Sequence, residues 1–291
     1  MSKKFITALT TVSFAILLSF IQIFPVAANE EQTSADDSLK VNLPQKTYVE
    51  AKGAVRKKFT LNRTSPKVAS IYELNTIPSQ PYVGFRKVGI DVSYHNKEIN
   101  WQAVKDSGVD FAILRTTYGW LEWENQTDAY LKEYITGAKA AGIPIGAYHC
   151  SYAKNRKDAL LEADFFIDRL KWTQWEYPVF IDMEMQTQRN LTKEQRTEVI
   201  LTFANKLKKA GYYTGYYTNL NWTRHMLNMN RLRAYDLWIA QWNKTCHCTH
   251  PYGIWQFTNQ GIIPGIEGDV DMNLCYMDYP SIIKKAHLNG F

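Results

Sequence analysis

From residue 87 onward, short apolar runs typical of β-strands alternate with segments of helical periodicity. The pattern predicts helices at 101–108, 128–142, 156–171, 192–211 and, briefly, 222–227. Glycine follows the last apolar turn of several of these helices, as is common at helix ends. The predicted strands lie at 87–93, 110–117, 143–151, 177–185, 212–218, 236–242, 253–258 and 270–275.

This alternation predicts an α/β fold with a parallel sheet. Eight strands are enough to close a TIM-like barrel, which we expect over residues 87–291. The first five predicted strands are followed by helices and the last three are not. An open doubly wound sheet is the competing fold, but no glycine-rich phosphate loop follows any strand, so we favour the barrel.

The chain begins with a pattern typical of a secretory signal. Lys3 and Lys4 precede an apolar run that extends to about residue 26, and Val26-Ala27-Ala28 provides small residues before a cut. We predict a signal peptide at 1–28 and a secreted, extracellular protein, with attachment to the cell wall left open. Because the apolar run is slightly long, an uncleaved membrane anchor is the alternative.

Residues 29–86 differ in composition from the segment that follows. They open acidic, and between residues 41 and 70 they carry seven Lys or Arg against a single Glu. Hydrophobic periodicity is weak and prolines are scattered, so we predict a poorly ordered basic linker or extension. A second interpretation is electrostatic attachment to an anionic surface such as a bacterial envelope.

The predicted strand at 177–185 ends in two acids. Side chains alternate between the faces of a strand, so Phe180, Asp182 and Glu184 share one face. Two carboxylates on one face of an apolar strand are costly to bury. They are either a structural pair satisfied by an arginine or by backbone donors, or an acid/base pair whose pKa values are pushed apart.

Polar residues also collect near the carboxyl ends of the other predicted strands, at the mouth of the barrel, where barrel enzymes have their catalytic residues. Such acids beside aromatic rings fit sugar hydrolysis, in which a carboxylic acid protonates the leaving oxygen and rings stack on sugar faces. The chain has nine Trp and 18 Tyr. The polar residues are Asp91, Ser93, Tyr94, Tyr148, His149, Cys150, Tyr216, Tyr217, Gln241, Trp242, Gln256 and, at the opening of the eighth strand, Asp269, Asp271 and Asn273.

An ordered set of motifs runs through the same region. It comprises GIDVS at 89–93, RTTYG at 115–119, GIPIGAYH at 142–149, YPVFIDME at 177–184, DLWIAQW at 236–242, GIWQF at 253–257 and GDVDMN at 268–273. Together these motifs resemble glycoside hydrolase family 25, the cellosyl-type lysozymes or N-acetylmuramidases. The resemblance implies a (β/α)5(β)3 barrel that cleaves the β-1,4 bond between N-acetylmuramic acid and N-acetylglucosamine in peptidoglycan.

The resemblance also implies roles for individual residues. Glu184 corresponds to the general acid and Asp182 to its partner, while Asp91 and Asp271 correspond to the remaining acids of the cleft. The residues implied to line the sugar site, together with a rim residue beyond the first strand, are Tyr148, Tyr217, Trp242, Gln256 and Tyr94. Many family members carry Lys-x-Thr-Glu-Gly at the RTTYG stretch, so the missing carboxylate puts substrate details in question.

The sequence leaves two mechanisms open. One acid attacks the anomeric carbon in a retaining scheme, whereas the substrate's own N-acetyl oxygen attacks in a substrate-assisted scheme. The spacing of Asp182 and Glu184 suits the second scheme better. Chitinase-like barrels use a further Asp upstream, where this chain has Phe180, which argues against a chitinase.

The four cysteines follow the predicted signal. An even number in an exported protein favours disulfides. Cys246 and Cys248 are too close to bridge each other easily, so we expect one of them to pair with Cys275, leaving the partner of Cys150 open. A metal cluster at 246–250 is the alternative, although its spacing matches no common zinc site. No HExxH motif suggests a zinc amidase or peptidase.

Two functions from different classes fit these observations. One is a secreted muramidase that acts on peptidoglycan glycan strands as a monomer. The other is a non-catalytic glycan-binding barrel that keeps the aromatic wall. All four acids are present, which favours the enzyme. We expect no cofactor, no metal and no nucleic-acid partner.

Overall fold

The computed structural model describes residues 86–291, and within them eight strands close into one barrel in chain order. The TIM-like prediction is therefore confirmed. The predicted signal peptide and all but the last residue of the predicted extension lie outside the described residues. The strands are β1 (Lys87–Val92), β2 (Phe111–Tyr118), β3 (Ile145–Cys150), β4 (Val179–Asp182), β5 (Thr214–Asn219), β6 (Asp236–Ala240), β7 (Ile254–Gly261) and β8 (Val270–Cys275).

α-Helices follow the first four strands, whereas the sequence pattern predicts helices after the first five. They are α1 (Trp101–Asp106), α2 (Leu131–Ala140), α3 (Arg156–Leu170) and α4 (Lys193–Lys209). A short π-helix at Trp222–Met226 follows β5. A last helix, α5 (Tyr279–Lys285), is absent from the sequence prediction because it spans only seven residues. No helix in residues 86–291 combines the length and apolarity needed to cross a membrane.

The last strand runs against its neighbours, which the sequence pattern does not reveal. Strands β1 to β7 are parallel, whereas β8 is antiparallel to both β7 and β1. The start of β8 therefore lies beside the carboxyl ends of the other strands. This reversal puts Asp271 in register with Asp91.

Alternation along the strands divides the apolar residues into two sets. Inside the barrel, Phe180 packs with residues such as Phe111, Trp238 and Ile254. Outside it, Val179, Ile181 and Met183 belong to the larger core beneath the helices. The faces predicted for β4 are confirmed, although the strand itself ends at Asp182.

Buried aromatic residues fill the amino end of the barrel. Asp236, at the start of β6, accepts hydrogen bonds from the hydroxyls of Tyr213 at 2.9 Å and Tyr279 at 2.7 Å. Burial raises the pKa of Asp236, while these two hydrogen bonds act in the opposite direction. The amino end is thus a packed core, and the carboxyl end is left for polar residues.

Candidate active site

Four acids meet at the carboxyl end of the barrel. Asp91 comes from β1, Asp182 ends β4, Glu184 follows two residues later, and Asp271 lies near the start of β8. Burial raises the pKa of the other three acids, and the negative charge of Glu184 raises it further in each, so the four side chains lie close together. The structure therefore brings together all four acids singled out in the sequence.

Asp91 and Asp271 form a hydrogen-bonded pair. Asp91 Oδ2 accepts from Asn273 Nδ2 at 2.7 Å and from Gln256 Nε2 at 2.9 Å. Burial raises the pKa of Asp91 to about 6, against the effect of these hydrogen bonds. Burial and the adjacent charge of Asp91 raise the pKa of Asp271 to about 8. At neutral pH, Asp271 therefore holds a proton that it donates to the Asp91 carboxylate.

We expect Asp271→Asn to stabilise the protein at alkaline pH. In the unfolded chain, Asp271 loses its proton near its usual pKa of 3.8, whereas the folded state holds it until about pH 8. A pKa raised by folding means that stability is complete below 3.8 and is lost as pH rises through about 8. The asparagine keeps the hydrogen bond without the charge. Urea unfolding at pH 4 and pH 8 should show an advantage of several kcal/mol for the variant at pH 8 and little or none at pH 4. An equal advantage at both pH values would contradict this assignment.

Asp182 and Glu184 form the second acidic pair. Burial raises the pKa of both, and the charge of Glu184 adds to the shift at Asp182. Glu184 Oε2 accepts a hydrogen bond from Asn219 Nδ2 at 3.2 Å. Asp182 is only 8% exposed, whereas Glu184 is half-buried. Glu184 is thus the member of the pair better able to exchange a proton with a bound molecule.

Gln256 links the acids to an aromatic wall. Its Oε1 atom accepts from Tyr217 Oη at 3.1 Å and from Trp242 Nε1 at 3.0 Å, while its Nε2 atom donates to Asp91. Trp242 is 56% exposed, so much of its ring is free to stack on a ligand. Tyr148 and Tyr217 both pack edge-on against Trp238, with ring centroids 5.9 and 4.6 Å apart.

A positively charged side chain, Arg115, lies at the rim of this cluster. The Arg115 guanidinium lies between the rings of Tyr94, 4.6 Å away, and Tyr118, 5.2 Å away. Asp128 pairs with it at 2.8 Å and also accepts from the Tyr94 backbone N–H. The structure thus places Tyr94 at the rim, next to Arg115, rather than against the four acids. Asp128 was missed in the sequence, where its only signal was an acid at the start of a predicted helix.

Three polar residues expected at the mouth face away from it. His149 lies outside the barrel wall, where Nδ1 is 2.7 Å from Thr117 Oγ1 and Nε2 is 3.3 Å from Glu162 Oε2. Tyr216 is buried in the outer core. Gln241 hydrogen-bonds to His247 instead. His149 and Tyr216 directly follow or precede an inward-facing tyrosine, and strand alternation turns such neighbours outward.

Several residues near the acids had no role assigned from the sequence. Asn219 lies two positions after Tyr217, and Asn273 lies two positions after Asp271. The same-face spacing could have identified both. Trp238 lies on the inner face of β6, two positions before Ala240. Its Nε1 atom donates to Asn273 Oδ1 at 2.8 Å.

The expected disulfide is wrong. All four cysteines are free thiols. Cys275 points into the barrel and belongs to the inner core, whereas Cys246 and Cys248 pack against the outer core. The barrel wall therefore separates the proposed partners. Within residues 86–291, no three His, Cys, Asp or Glu side chains form a group that could hold a metal ion.

Comparison with known proteins gives consistent similarities. The model of the glycosyl hydrolases family 25 matches residues 90–266. An autolytic lysozyme of Clostridium acetobutylicum is 28% identical over 186 residues, which cover 64% of this chain and 54% of that protein. Lysozyme M1 of Streptomyces globisporus is 29% identical over 200 residues, covering 64% of this chain and 66% of its own length. The chain therefore spans between about half and two thirds of these relatives.

Solved structures show the same fold. A bacterial lysozyme from Streptomyces coelicolor superposes with a TM-score of 0.58 at 26% identity, covering 69% of this chain and 96% of that structure. The modular autolysin LytC from Streptococcus pneumoniae, in complex with a synthetic peptidoglycan ligand, has a TM-score of 0.61 at 26% identity. That match covers 67% of this chain and 48% of the autolysin.

Proposed function

This chain belongs to glycosyl hydrolase family 25, and from that membership we propose that it is a muramidase. Its substrate is the β-1,4 bond between N-acetylmuramic acid and N-acetylglucosamine in bacterial peptidoglycan. The observation that carries the proposal is the meeting of four acids beside an exposed Trp242 and a hydrogen-bonded Gln256. Such a cluster combines proton transfer with a surface on which a sugar ring can stack.

Glu184 is the proposed general acid. Burial raises its pKa, which favours the protonated form that a general acid needs. It is half-buried at the carboxyl end of the barrel, so a glycosidic oxygen can reach it. Glu184 gives its proton to the leaving oxygen as the bond to the anomeric carbon breaks. It then takes a proton from the water that completes hydrolysis.

Asp182 is proposed to orient the substrate in a substrate-assisted reaction. Its carboxylate accepts the N–H of the 2-acetamido group, so that the acetamido oxygen attacks the anomeric carbon. Two observations support this division of roles: Asp182 is deeply buried, and it precedes Glu184 by two residues, so that both side chains share one face. Asp91, anionic beside a protonated Asp271, supplies negative charge that stabilises the oxocarbenium character of the transition state.

Tyr148, Tyr217 and Trp242 are proposed to contact the sugar rings, with Tyr94 at the rim. A secreted protein follows from the predicted signal peptide, and the cell wall is then the place of action.

The glycan-binding alternative shares the aromatic wall but needs no proton donor. The raised pKa of Glu184 favours the enzyme, because a general acid needs its proton and a lectin does not.

Digestion of purified, insoluble peptidoglycan separates the two functions. The muramidase releases soluble fragments and new reducing ends in proportion to time and protein concentration. A glycan-binding barrel instead sediments with the wall and releases nothing. Binding to the wall with no release of fragments at every pH tested between 4 and 8 would overturn the proposed activity.

A further inference from the structure

Glu184 lies beyond the end of β4, so the direction of its side chain depends on the backbone around it. Its carboxylate accepts one hydrogen bond within residues 86–291, from Asn219 Nδ2 at 3.2 Å. A single contact does not restrict a glutamate side chain to one rotamer. A general acid has to lie within hydrogen-bond reach of the oxygen that it protonates. The backbone of the two flanking residues, Met183 and Met185, therefore has to hold Glu184 in place.

Thr218 holds the backbone before Glu184. The Met183 N–H donates to the Tyr217 carbonyl at 3.1 Å, and the Met183 carbonyl accepts from Thr218 Oγ1 at 3.0 Å. Thr218 is fully buried, and strand alternation turns its side chain away from the acids that its neighbours Tyr217 and Asn219 face. Both polar groups of the Met183 backbone are thus bonded to β5.

Gln188 holds the backbone after Glu184. Its Oε1 atom accepts from the Met185 N–H at 3.1 Å, and its Nε2 atom donates to the carbonyls of Ser151 and Ala153, each at 3.0 Å. The Gln188 backbone N–H donates to the Met185 carbonyl at 2.9 Å. Gln188 is fully buried, so water does not compete for these bonds. The turn after Glu184 is therefore attached to the segment that follows β3.

We propose that Thr218 and Gln188 are positioning residues for Glu184. They bond the backbone on both sides of the acid, to β5 before it and to the segment after β3 behind it. Within the described residues neither side chain hydrogen-bonds to the Glu184 carboxylate, so both act through the backbone. Loss of either side chain leaves a buried backbone group unpaired, which favours a shift of the chain. The inference rests on the proposed function, in which Glu184 is the general acid.

Two substitutions of Thr218 separate the hydroxyl from the packing. Thr218→Val removes the hydroxyl and nearly keeps the shape, so kcat on peptidoglycan should fall about tenfold, less than the roughly 10²-fold cost of a misplacement of about 1 Å. Binding to the wall should not change. Thr218→Ser keeps the hydroxyl and should keep kcat close to that of the wild type. A packing effect alone would give the opposite order, because serine loses the methyl group that valine keeps.

Thr214→Val is the matched control. Thr214 lies on the same face of β5 at the amino end of the barrel, and its buried Oγ1 atom has no hydrogen-bond partner within residues 86–291. This variant should keep the wild-type kcat. Gln188→Met removes the amide at similar size and should lower kcat at least as much as Thr218→Val. If Gln188→Met does not fold, the two Thr218 variants decide the question alone.

The double variant Thr218→Val with Glu184→Gln tests whether the effect passes through Glu184. Residues that act as one unit are not additive in their effects on rate. With the acidic proton already absent, Thr218→Val should cause no further loss of the residual rate. A further tenfold loss in that background would give Thr218 a general structural role and would overturn the proposal.

Carbon-13 NMR of the carboxyl groups in the full-length protein gives a readout that does not need turnover. The Glu184 signal, identified by its absence in Glu184→Gln, should move in Thr218→Val and keep its position in Thr218→Ser and Thr214→Val. A wild-type protein without turnover whose Glu184 signal still behaves in this way would overturn the proposed function and leave the positioning role standing. A signal that does not move in folded Thr218→Val, or that moves equally in Thr218→Ser, would overturn the positioning role.

Discussion

Glu184→Gln is expected to reduce kcat on peptidoglycan about 10³-fold, within the range for loss of a general acid. Glutamine has nearly the same shape, and it can still contact Asn219, but it has no acidic proton for the leaving oxygen. Wall binding and the melting temperature should stay close to those of the wild type. Initial rates of reducing-end release, with co-sedimentation on the same wall preparation, measure both properties.

Glu194→Gln provides a matched control. Glu194 lies on α4, where its exposed side chain pairs with Arg231 at 2.8 Å. The same chemical change there should leave hydrolysis unaffected. A folded Glu184→Gln protein with wild-type turnover would remove Glu184 from the role of general acid.

Asp182→Asn should cause the second-largest loss, about 10²-fold in kcat, because orientation of the acetamido group weakens. It should also move the alkaline limb of the pH–rate profile toward acid. That limb reports loss of the proton from Glu184, and a neighbouring negative charge makes this loss harder. Removing the charge at Asp182 therefore lowers the pKa of Glu184.

The limb is measured on the residual activity of Asp182→Asn over a pH series at fixed ionic strength. Asp106→Asn is the control, since Asp106 is an exposed residue of α1 whose carboxylate accepts a hydrogen bond from Gln102. An alkaline limb that does not move in Asp182→Asn would argue against coupling between the two acids.

Strand alternation explains why so much of this site can be predicted from the sequence. Phe180, Asp182 and Glu184 keep a period of two, and the structure puts Phe180 inside the barrel with the acids above it. The same rule, applied strictly, excludes His149 and Tyr216, which adjoin inward-facing tyrosines. The prediction put both residues at the mouth of the barrel because it considered only their nearness to a strand end and not the face on which each one lies.

Other features depend on contacts between distant parts of the chain. The direction of β8 is set by its pairing with β1 and β7, and its own residues carry no signal of it. The ion pair between Arg115 and Asp128 joins β2 to the segment that leads into α2, and it depends on how the two side chains are placed in the folded protein. The free cysteines follow from the barrel wall, which puts Cys275 on one side and Cys246 on the other.

The identity of the sugar at the new reducing end tests the central claim most directly. Purified peptidoglycan is digested, the soluble fragments are reduced with borohydride, and the products are separated and identified by mass spectrometry. A muramidase leaves N-acetylmuramic acid at every new reducing end, so reduced muramic acid should accumulate with time. Reduced glucosamine in its place would show cleavage of the other glycosidic bond and would contradict this account.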